Sequence, residues 1–594
     1  MRFGDVEAAN PFYQKKTKGK AKGKAEEGAI DGRPFRYISG EMHYFRIHPS
    51  LWQDRLRRYR AAGLNAVQLY IPWNFHEATP GKYEAQNELF VLIRLGPYIC
   101  AEFEFGGLPW WLVKYQADIV LRTSNKLVLC DHEYMRWLRN LTREKLGDEI
   151  ILYTTDGTSD RMLRCGPIEN TLATVDFGVP SSNIERHINH YFSLQQKHSS
   201  VRGPRVNSEF YTVWFSMWGD KSMVRQRIGP VIESMEVMWR MNASFSILMF
   251  HGGTSFGFWS GKETNGPIVT SYDFGAPIGE EGSITPLYQA IREWVGRRPT
   301  DEWSNRPLPL PANRTGVSIG GVLGLKLADF VSVLNSSVSF SNRCLHSSES
   351  PLNIESFDRD FGLVWYSITL ETDGTVLTAP ELKDHAYVFL DGKFQGNMSV
   401  DGRSEKGPKM DILVENIGRL TYPVTKVDPK GLFAPLFLDG KALGSQWVQC
   451  GIDLEEIFER ICHKIDEDGV YEAQKTDTNG QIAGEGPAIY VATFATSVVD
   501  WTQMHTFFDS RGWGHGILMV NRMNLGRYWP TQGPQLTLFV PGAVIKRRNV
   551  AVLIELSGPQ KSDGILNFVD HPIYNFYDKN YFGNYRREEK KMAN

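Results

Sequence analysis

The stretch Arg205-Val206-Asn207-Ser208-Glu209-Phe210-Tyr211-Thr212-Val213-Trp214 couples one carboxylate to a run of aromatic side chains. Val206–Glu209 reads as a short strand. A strand delivers its last residue to the sheet edge, where a carboxylate can face a pocket. Aromatic rings beside it offer a flat apolar platform, the usual partner of a sugar's C–H face. A glutamate so placed suits nucleophilic attack on a glycoside. The plain alternative is a strand-end glutamate that only binds water. Short motifs match by chance often enough that the rest of the chain has to decide.

The elements around it alternate strand and helix from about 31 to 300. Strands are expected at Phe35–Tyr44, Asn65–Trp73, Leu89–Arg94, Ile150–Thr154, Leu172–Phe177, Val206–Glu209 and Ser244–Phe250. Helical patterns run over Trp52–Ala62 and Glu133–Leu146. This alternation implies a parallel sheet, and the length suits a TIM (β/α)₈-type barrel with its chemistry at the strands' C-terminal ends. Tyr70, Glu102, Glu209 and the loop after Phe250 fall at or just past such ends. One βα unit is missing between the third strand and the strand at 150. The crossover at 74–88 is also short, leaving about eight residues for a helix where about ten are usual. After Pro307–Pro311 (PLPLP) the texture becomes all-β. Short extended runs lie at Leu363–Leu370, Ala386–Leu390, Asp411–Val414, Ile489–Phe494, Ile517–Val520, Leu536–Val540 and Val550–Leu556. Asp391-Gly392 is a hairpin signal. The expected division is a basic tail at 1–30, a barrel at 31–306, a linker at 307–317, and two β-sandwich, jelly-roll domains at 318–445 and 446–594.

The composition excludes several classes. The 594 residues carry a formal net charge of −2, which does not suit a nucleic-acid binder. There are 16 Trp, 24 Tyr and 33 Phe with 55 Gly and 30 Pro, the mixture of a loop-rich protein with aromatic-lined pockets. No apolar run reaches the about 18 residues of a membrane span. Six cysteines are too few to be the main scaffold. The Lys-rich segment 14–30 reads as a solvated tail. The start, MRFGDVEAANPFYQ, has no apolar signal core, whereas Asn140, Asn242, Asn313, Asn335 and Asn397 stand in glycosylation sequons. A chain truncated at its start would reconcile the two.

From about 35 to 570 the chain resembles the family 35 glycoside hydrolases, in particular the animal lysosomal-type acid β-galactosidases. The motifs are Phe35–Gly40 (FRYISG), Ala62–Ala66 (AGLNA), Pro72–Glu77 (PWNFHE), Gly96–Glu102 (GPYICAE), Asn207–Thr212 (NSEFYT), Thr270–Asp273 (TSYD), Leu413–Arg419 (LVENIGR) and Asn524–Pro541 (NLGRYWP to LFVP). The resemblance implies removal of terminal β-linked galactose with retention, through a covalent galactosyl-enzyme. It implies Glu209 as nucleophile. It implies substrate contacts from Tyr70, Cys100, Ala101, Glu102, Trp214 and Tyr272, the last a tyrosine near the nucleophile. Phe274 stands where the family has a second tyrosine, which removes one hydroxyl. A disulfide between Cys130 and Cys165 is implied, as are a lysosomal or secreted location and β-galactosides (glycans, glycolipids, disaccharides) as partners, with a homodimer the one assembly in view. No metal-ligand cluster or phosphate loop is evident, so no cofactor is implied.

Retention needs two carboxyl groups roughly 5–5.5 Å apart. The family's second one belongs to an Asn-Glu-Tyr-Gly motif ending the fourth strand, and that motif is absent. The chain passes from Leu121-Arg122-Thr123-Ser124 almost directly to Cys130-Asp131-His132-Glu133-Tyr134. Three accounts stand: a sequence lacking coding segments of a full galactosidase, a catalytically inactive galactoside-binding protein, or a substitute strand at Leu127-Val128-Leu129 offering Asp131 or Glu133 as acid. Asn87-Glu88 precedes the third strand and is not assigned the role.

Overall fold

The computed structural model describes residues 29–30, 33–34, 36–79, 92–95, 98–115, 130–148, 150–201, 203–223, 228–298, 308–329, 344–359, 361–372, 374–398, 409–422, 428–444, 446–468, 486–498, 500–560 and 564–575. Most of the basic tail, the second half of the short crossover, Pro307 and the proposed substitute strand at 127–129 lie outside the described residues.

Seven parallel strands make one sheet: Ile38–Met42, Ala66–Ile71, Leu92–Leu95, Tyr153–Gly157, Leu172–Asp176, Val206–Tyr211 and Ser244–His251. Numbered along the chain, their spatial order is third, second, first, seventh, sixth, fifth, fourth. The first strand pairs with the seventh, Ile38 opposite Phe245, the closure a (β/α)₈ barrel requires. The opening lies on the far side. Among the described residues no pairing joins Leu92–Leu95 to Tyr153–Gly157. This is a partial TIM barrel, and the two strands left without a pairing among the described residues flank the place where the sequence leads one to expect a missing βα unit.

Side-chain alternation fixes which face looks in. Phe245, Ile247, Val175 and Phe210 share a core with Ile188 and Phe192 of helix Ile184–His198, Met235 and Met238 of Ile228–Arg240, and Ile291 and Trp294 of Pro286–Gly296. Their neighbours point the other way and are polar. Gln68 on the second strand donates to Glu41 (3.2 Å) on the first and to the Ser208 carbonyl (3.0 Å) on the sixth. The second and sixth strands are not sheet neighbours, so that bond crosses the barrel interior. Each outward apolar side chain adds about 1.5–3 kcal/mol by burial. Hydrogen bonds of this kind tie the inward layer across the barrel.

The C-terminal half is built of sheets that interleave the chain. Trp447–Ile452 pairs with Cys344–Ser348 and Leu363–Thr369 in a six-stranded sheet. Gly320–Leu323 and Leu325–Asp329 pair with Ile565–Val569 and Ala488–Ala495. Strand pairing therefore runs across the division expected near 446. Period-2 alternation builds the layers. Trp365, Phe389 and Leu413 meet Ile489, Val491, Ile517 and Ile554, together with Phe458 and Ile461 of helix Leu454–Asp468. The opposite face of that second sheet, with Tyr490, Leu518 and Leu553, packs on Phe508, Leu538 and Phe568. The helix is an addition to the expected all-β arrangement. Asp391-Gly392 does form the hairpin turn, with Leu390 opposite Lys393 and both turn residues at positive φ (48° and 77°).

Two buried polar clusters tie these layers to the barrel. Arg419 ion-pairs with Glu104 (2.7 Å) and Glu355 (2.5 Å), all three inaccessible to solvent. Burial pulls the Arg419 guanidinium down, and the two carboxylates more than reverse this, so it stays protonated. Removing one partner of such a cluster leaves uncompensated buried charge, a loss of about 3–5 kcal/mol. Arg419→Met should therefore unfold at markedly lower denaturant. A midpoint unchanged in urea titration would show that the cluster holds nothing. In the second cluster, Thr254 (2.6 Å) and Tyr574 (3.2 Å) donate to the Glu280 carboxyl. Burial pushes that carboxyl up to about 8, with Asp273 adding to the push. The folded state thus holds a proton that the unfolded chain releases near pH 4.3, and stability from this group is full below that pH and lost as pH rises to about 8. Glu280→Gln mimics the protonated form. Its Tm should match the parent at pH 5 and exceed it by several degrees at pH 9; equal melting at both would mean Glu280 is not protonated in the fold.

Candidate active site

Glu209 stands on the sixth barrel strand, opposite Asp176 on the fifth. The register is irregular on both sides, between Asn207 and Phe210 and between Val175 and Asp176. Such an irregularity re-aims a side chain at a strand end. The Glu209 carboxylate is buried. The Tyr70 hydroxyl donates to its Oε1, and the Tyr211 hydroxyl donates to its Oε2 at 2.5 Å. A donor on each oxygen fixes the plane of the group that would attack.

Aromatic contacts lead away from Glu209 and return to it. Tyr211 meets Trp214 edge-on (5.4 Å between ring centroids), Trp214 meets Phe274 (6.4 Å), and Phe274 meets Tyr272 (5.3 Å). Tyr272 meets His43 (5.7 Å), and His43 meets Tyr70 (5.2 Å), whose hydroxyl is on Glu209. The contacts therefore form a closed circuit, with Trp214 half exposed on its rim. It contains Tyr70, Glu209, Trp214 and Tyr272 of the residues expected from sequence, and adds Tyr211 and His43. The Tyr272 hydroxyl donates to Glu102, while the Tyr70 and Tyr211 hydroxyls donate to Glu209. Tyr211 lies two residues after Glu209, a spacing that could have marked it. Phe274 occupies the circuit and brings no hydroxyl.

Cys100, Ala101 and Glu102 are the candidate wall, tied to the circuit where the Tyr272 hydroxyl donates to Glu102. All three are left-handed, with φ of 61°, 56° and 50°. For residues with a Cβ this costs about 1–2 kcal/mol each. Their carbonyls are all engaged: Cys100 accepts from Phe103 N–H (3.2 Å), Ala101 from the Arg46 guanidinium (2.6 Å), and Glu102 from Gly261 N–H (3.2 Å). Glu263, two residues past Gly261, accepts from Thr421. Burial pushes its carboxyl up to about 7, with the Glu102 charge adding to the effect. This carboxyl, raised in pKa and close to Glu102, is one that sequence reasoning missed.

The residues offered as substitute acids are employed elsewhere. Asp131 caps helix His132–Leu146 by accepting from Tyr134 N–H (2.9 Å), and Glu133 is exposed in its first turn. Both are good N-terminal helix residues for electrostatic reasons. Cys130 and Cys165 are joined in a disulfide, as are Cys344 and Cys450. Cys462 is buried and outside both bridges.

Hydrogen bonds to a charged group are worth about 1.5–3 kcal/mol. Tyr211→Phe should therefore slow trapping of Glu209 by an activated 2-deoxy-2-fluorogalactoside by roughly 10–100-fold, with Tm little changed. Undiminished trapping, read by mass of the labelled peptide, would show the hydroxyl to be idle.

Comparison with known proteins gives concordant results. Residues 29–129 and 126–298 match the glycosyl hydrolases family 35. Residues 351–453 match the first all-beta domain of beta-galactosidase, and 487–549 its galactose-binding domain. The chain is 35% identical to the beta-galactosidase-1-like protein of Mus musculus over 626 residues, covering 92% of this chain and 90% of that one. It is 34% identical to the beta-galactosidase of the same species over 622 residues (91% and 93%), and 33% identical to that of Homo sapiens over 626 residues (91% and 89%). With a catalytic-domain match, both β-domain matches and end-to-end relatives of this similarity, the chain belongs to the family 35 glycosyl hydrolases.

Proposed function

We propose that the chain holds the nucleophile and the sugar-binding wall of a retaining β-galactosidase and lacks its proton donor. The observation that carries this is Glu209, buried at a barrel strand end with a tyrosine hydroxyl on each oxygen and a circuit of rings around it. One Glu209 oxygen attacks C1 of a terminal β-galactose. The bond from C1 to the aglycone oxygen breaks, and a galactosyl ester remains on Glu209, which water then releases with retention. In a complete site the second carboxyl gives the departing oxygen its proton and takes one from the water.

Two observations support the missing donor. Among the described residues no pairing joins the third and fourth strands, and the family match divides into two segments that meet at 126–129. Without an acid the aglycone leaves as an anion, so its own acidity sets the rate. The β units are read as galactose-binding-like jelly rolls that brace the barrel. Terminal β-galactosides of glycans, glycolipids or disaccharides are the substrate class. The two disulfides suit a secreted or lysosomal protein, since such bridges persist in oxidising compartments.

General acid–base help is worth about 10²–10⁴-fold. A dinitrophenyl galactoside should be cleaved, with lactose slower than in a complete relative by that factor. Azide, which needs no base to attack the galactosyl ester, should accelerate turnover of the activated substrate. Equal and robust rates on both substrates would mean that a working acid is present. Galactose binding with neither turnover nor labelling of Glu209 would instead favour a binding protein.

A further inference from the structure

We propose that Arg46 is a positioning residue: it holds the left-handed Cys100–Glu102 wall in register with the nucleophile. The inference rests on the galactosidase reading above and assigns a task to a side chain that does not touch Glu209. Arg46 is fully buried in the turn after the first barrel strand. Its guanidinium makes three bonds in three directions. Nη2 donates to the Ala101 carbonyl (2.6 Å), Nε to Ser255 Oγ (2.9 Å), and Nη1 meets His43 Nδ1 (2.6 Å). Its flat face lies over the Tyr272 ring, 3.8 Å from the centroid.

Arginine only donates, so His43 Nδ1 must accept and the ring proton sits on Nε2, which faces Glu41 Oε1 at 3.5 Å. One cation thereby fixes the His43 ring that packs on Tyr70. It also fixes the Tyr272 ring whose hydroxyl binds Glu102, and the central carbonyl of the turn itself. Three consecutive left-handed residues persist only where their surroundings over-determine them. Of the three wall carbonyls, Ala101's is the one held by a side chain, and the others are held by backbone N–H groups.

The test uses the full chain, with galactose as the probe in calorimetry and a 2-deoxy-2-fluorogalactoside to trap Glu209. Arg46→Lys keeps the charge and loses the planar fork. It should melt within a few degrees of the parent and bind galactose about tenfold or more weakly. Its half-saturating concentration for trapping should rise with little change in the limiting rate. Adding Ala101→Gly, which takes positive φ without steric cost, should restore most of the affinity. Unchanged affinity in Arg46→Lys, or no recovery in the double variant, overturns the inference and leaves Arg46 a packing residue. If Arg46→Lys does not fold, Ser255→Ala removes only the Nε acceptor. It should weaken galactose binding severalfold at unchanged Tm, and unaltered binding overturns the inference. A parent chain that neither binds galactose nor is trapped overturns the galactosidase reading itself and this inference with it.

Discussion

The contact on which the site's shape depends is the buried cluster of Arg419 with Glu104 and Glu355. It joins segments 315 residues apart along the chain. Glu104 lies two residues past the left-handed wall, and Arg419 holds it twice, through the guanidinium and through its own backbone N–H (2.7 Å). The energetic case for such a cluster is registration. Desolvating three charged groups costs several kcal/mol per ion, which their mutual attraction little more than offsets, so a packed apolar trio could serve stability as well. A charged trio, however, has one acceptable geometry. It sets the position of the 98–107 segment against the six-stranded sheet, and Gly261 and Arg46 then pin the carbonyls of the same segment to the barrel. The β layers are thereby part of the site's scaffold.

The absence of pairing between the third and fourth strands among the described residues is compatible with a well-held Glu209 because of where it falls. Glu209 is on the sixth strand, flanked by the fifth and seventh, and the seventh closes onto the first. Tyr70 is on the second strand, on the same continuous run of pairing. The edges left by the gap belong to the third and fourth strands, at the two ends of the sheet. Hydrogen bonding and outward packing around Glu209 thus pass through paired strands alone.

Much of this architecture can be read from the residues. Period-2 alternation in Ser244–His251 and the strand–helix rhythm mark the barrel, and the short spacing before Cys130 marks its gap. Glu209 is legible because a strand-end carboxylate among aromatics is an unusual local pattern and the surrounding motifs are specific. The pairing of hydroxyls with carboxylates is not legible. Tyr70, Tyr211 and Tyr272 are equally plausible partners for either Glu102 or Glu209, and the choice is made by sheet register and by the turn at 100–102. The conformation of that turn is hidden because Cys, Ala and Glu have no preference for positive φ, which the surrounding hydrogen bonds impose. The β division near 446 is obscured for a related reason: long-range strand pairing leaves no local signature, and Trp447–Ile452 looks alike whichever sheet it joins. Helix Leu454–Asp468 carries its own helical pattern, but a run of β signals on either side draws attention from it.

A barrel spreads its chemistry over the ends of separate strands, so loss of one strand subtracts a role without blurring the rest. In this chain the described site residues come from the second and sixth strands (Tyr70, Glu209, Tyr211) and from the loops after the first, third, sixth and seventh (His43, Cys100–Glu102, Trp214, Tyr272). In the function proposed above, their tasks are to hold a sugar and to attack it. Proton donation to the leaving group is, in the proposed reading, the task left without a residue. It is also the only one of these tasks that a substrate can perform for itself, by carrying an aglycone acidic enough to depart unprotonated. Binding and attack have no such substitute. The physical order of dependence therefore runs from the Arg419 cluster to the turn at 100–102 and from the turn, through the Glu102–Tyr272 bond, to the rings around Glu209, with the leaving-group chemistry of the proposed reaction the last and most separable link.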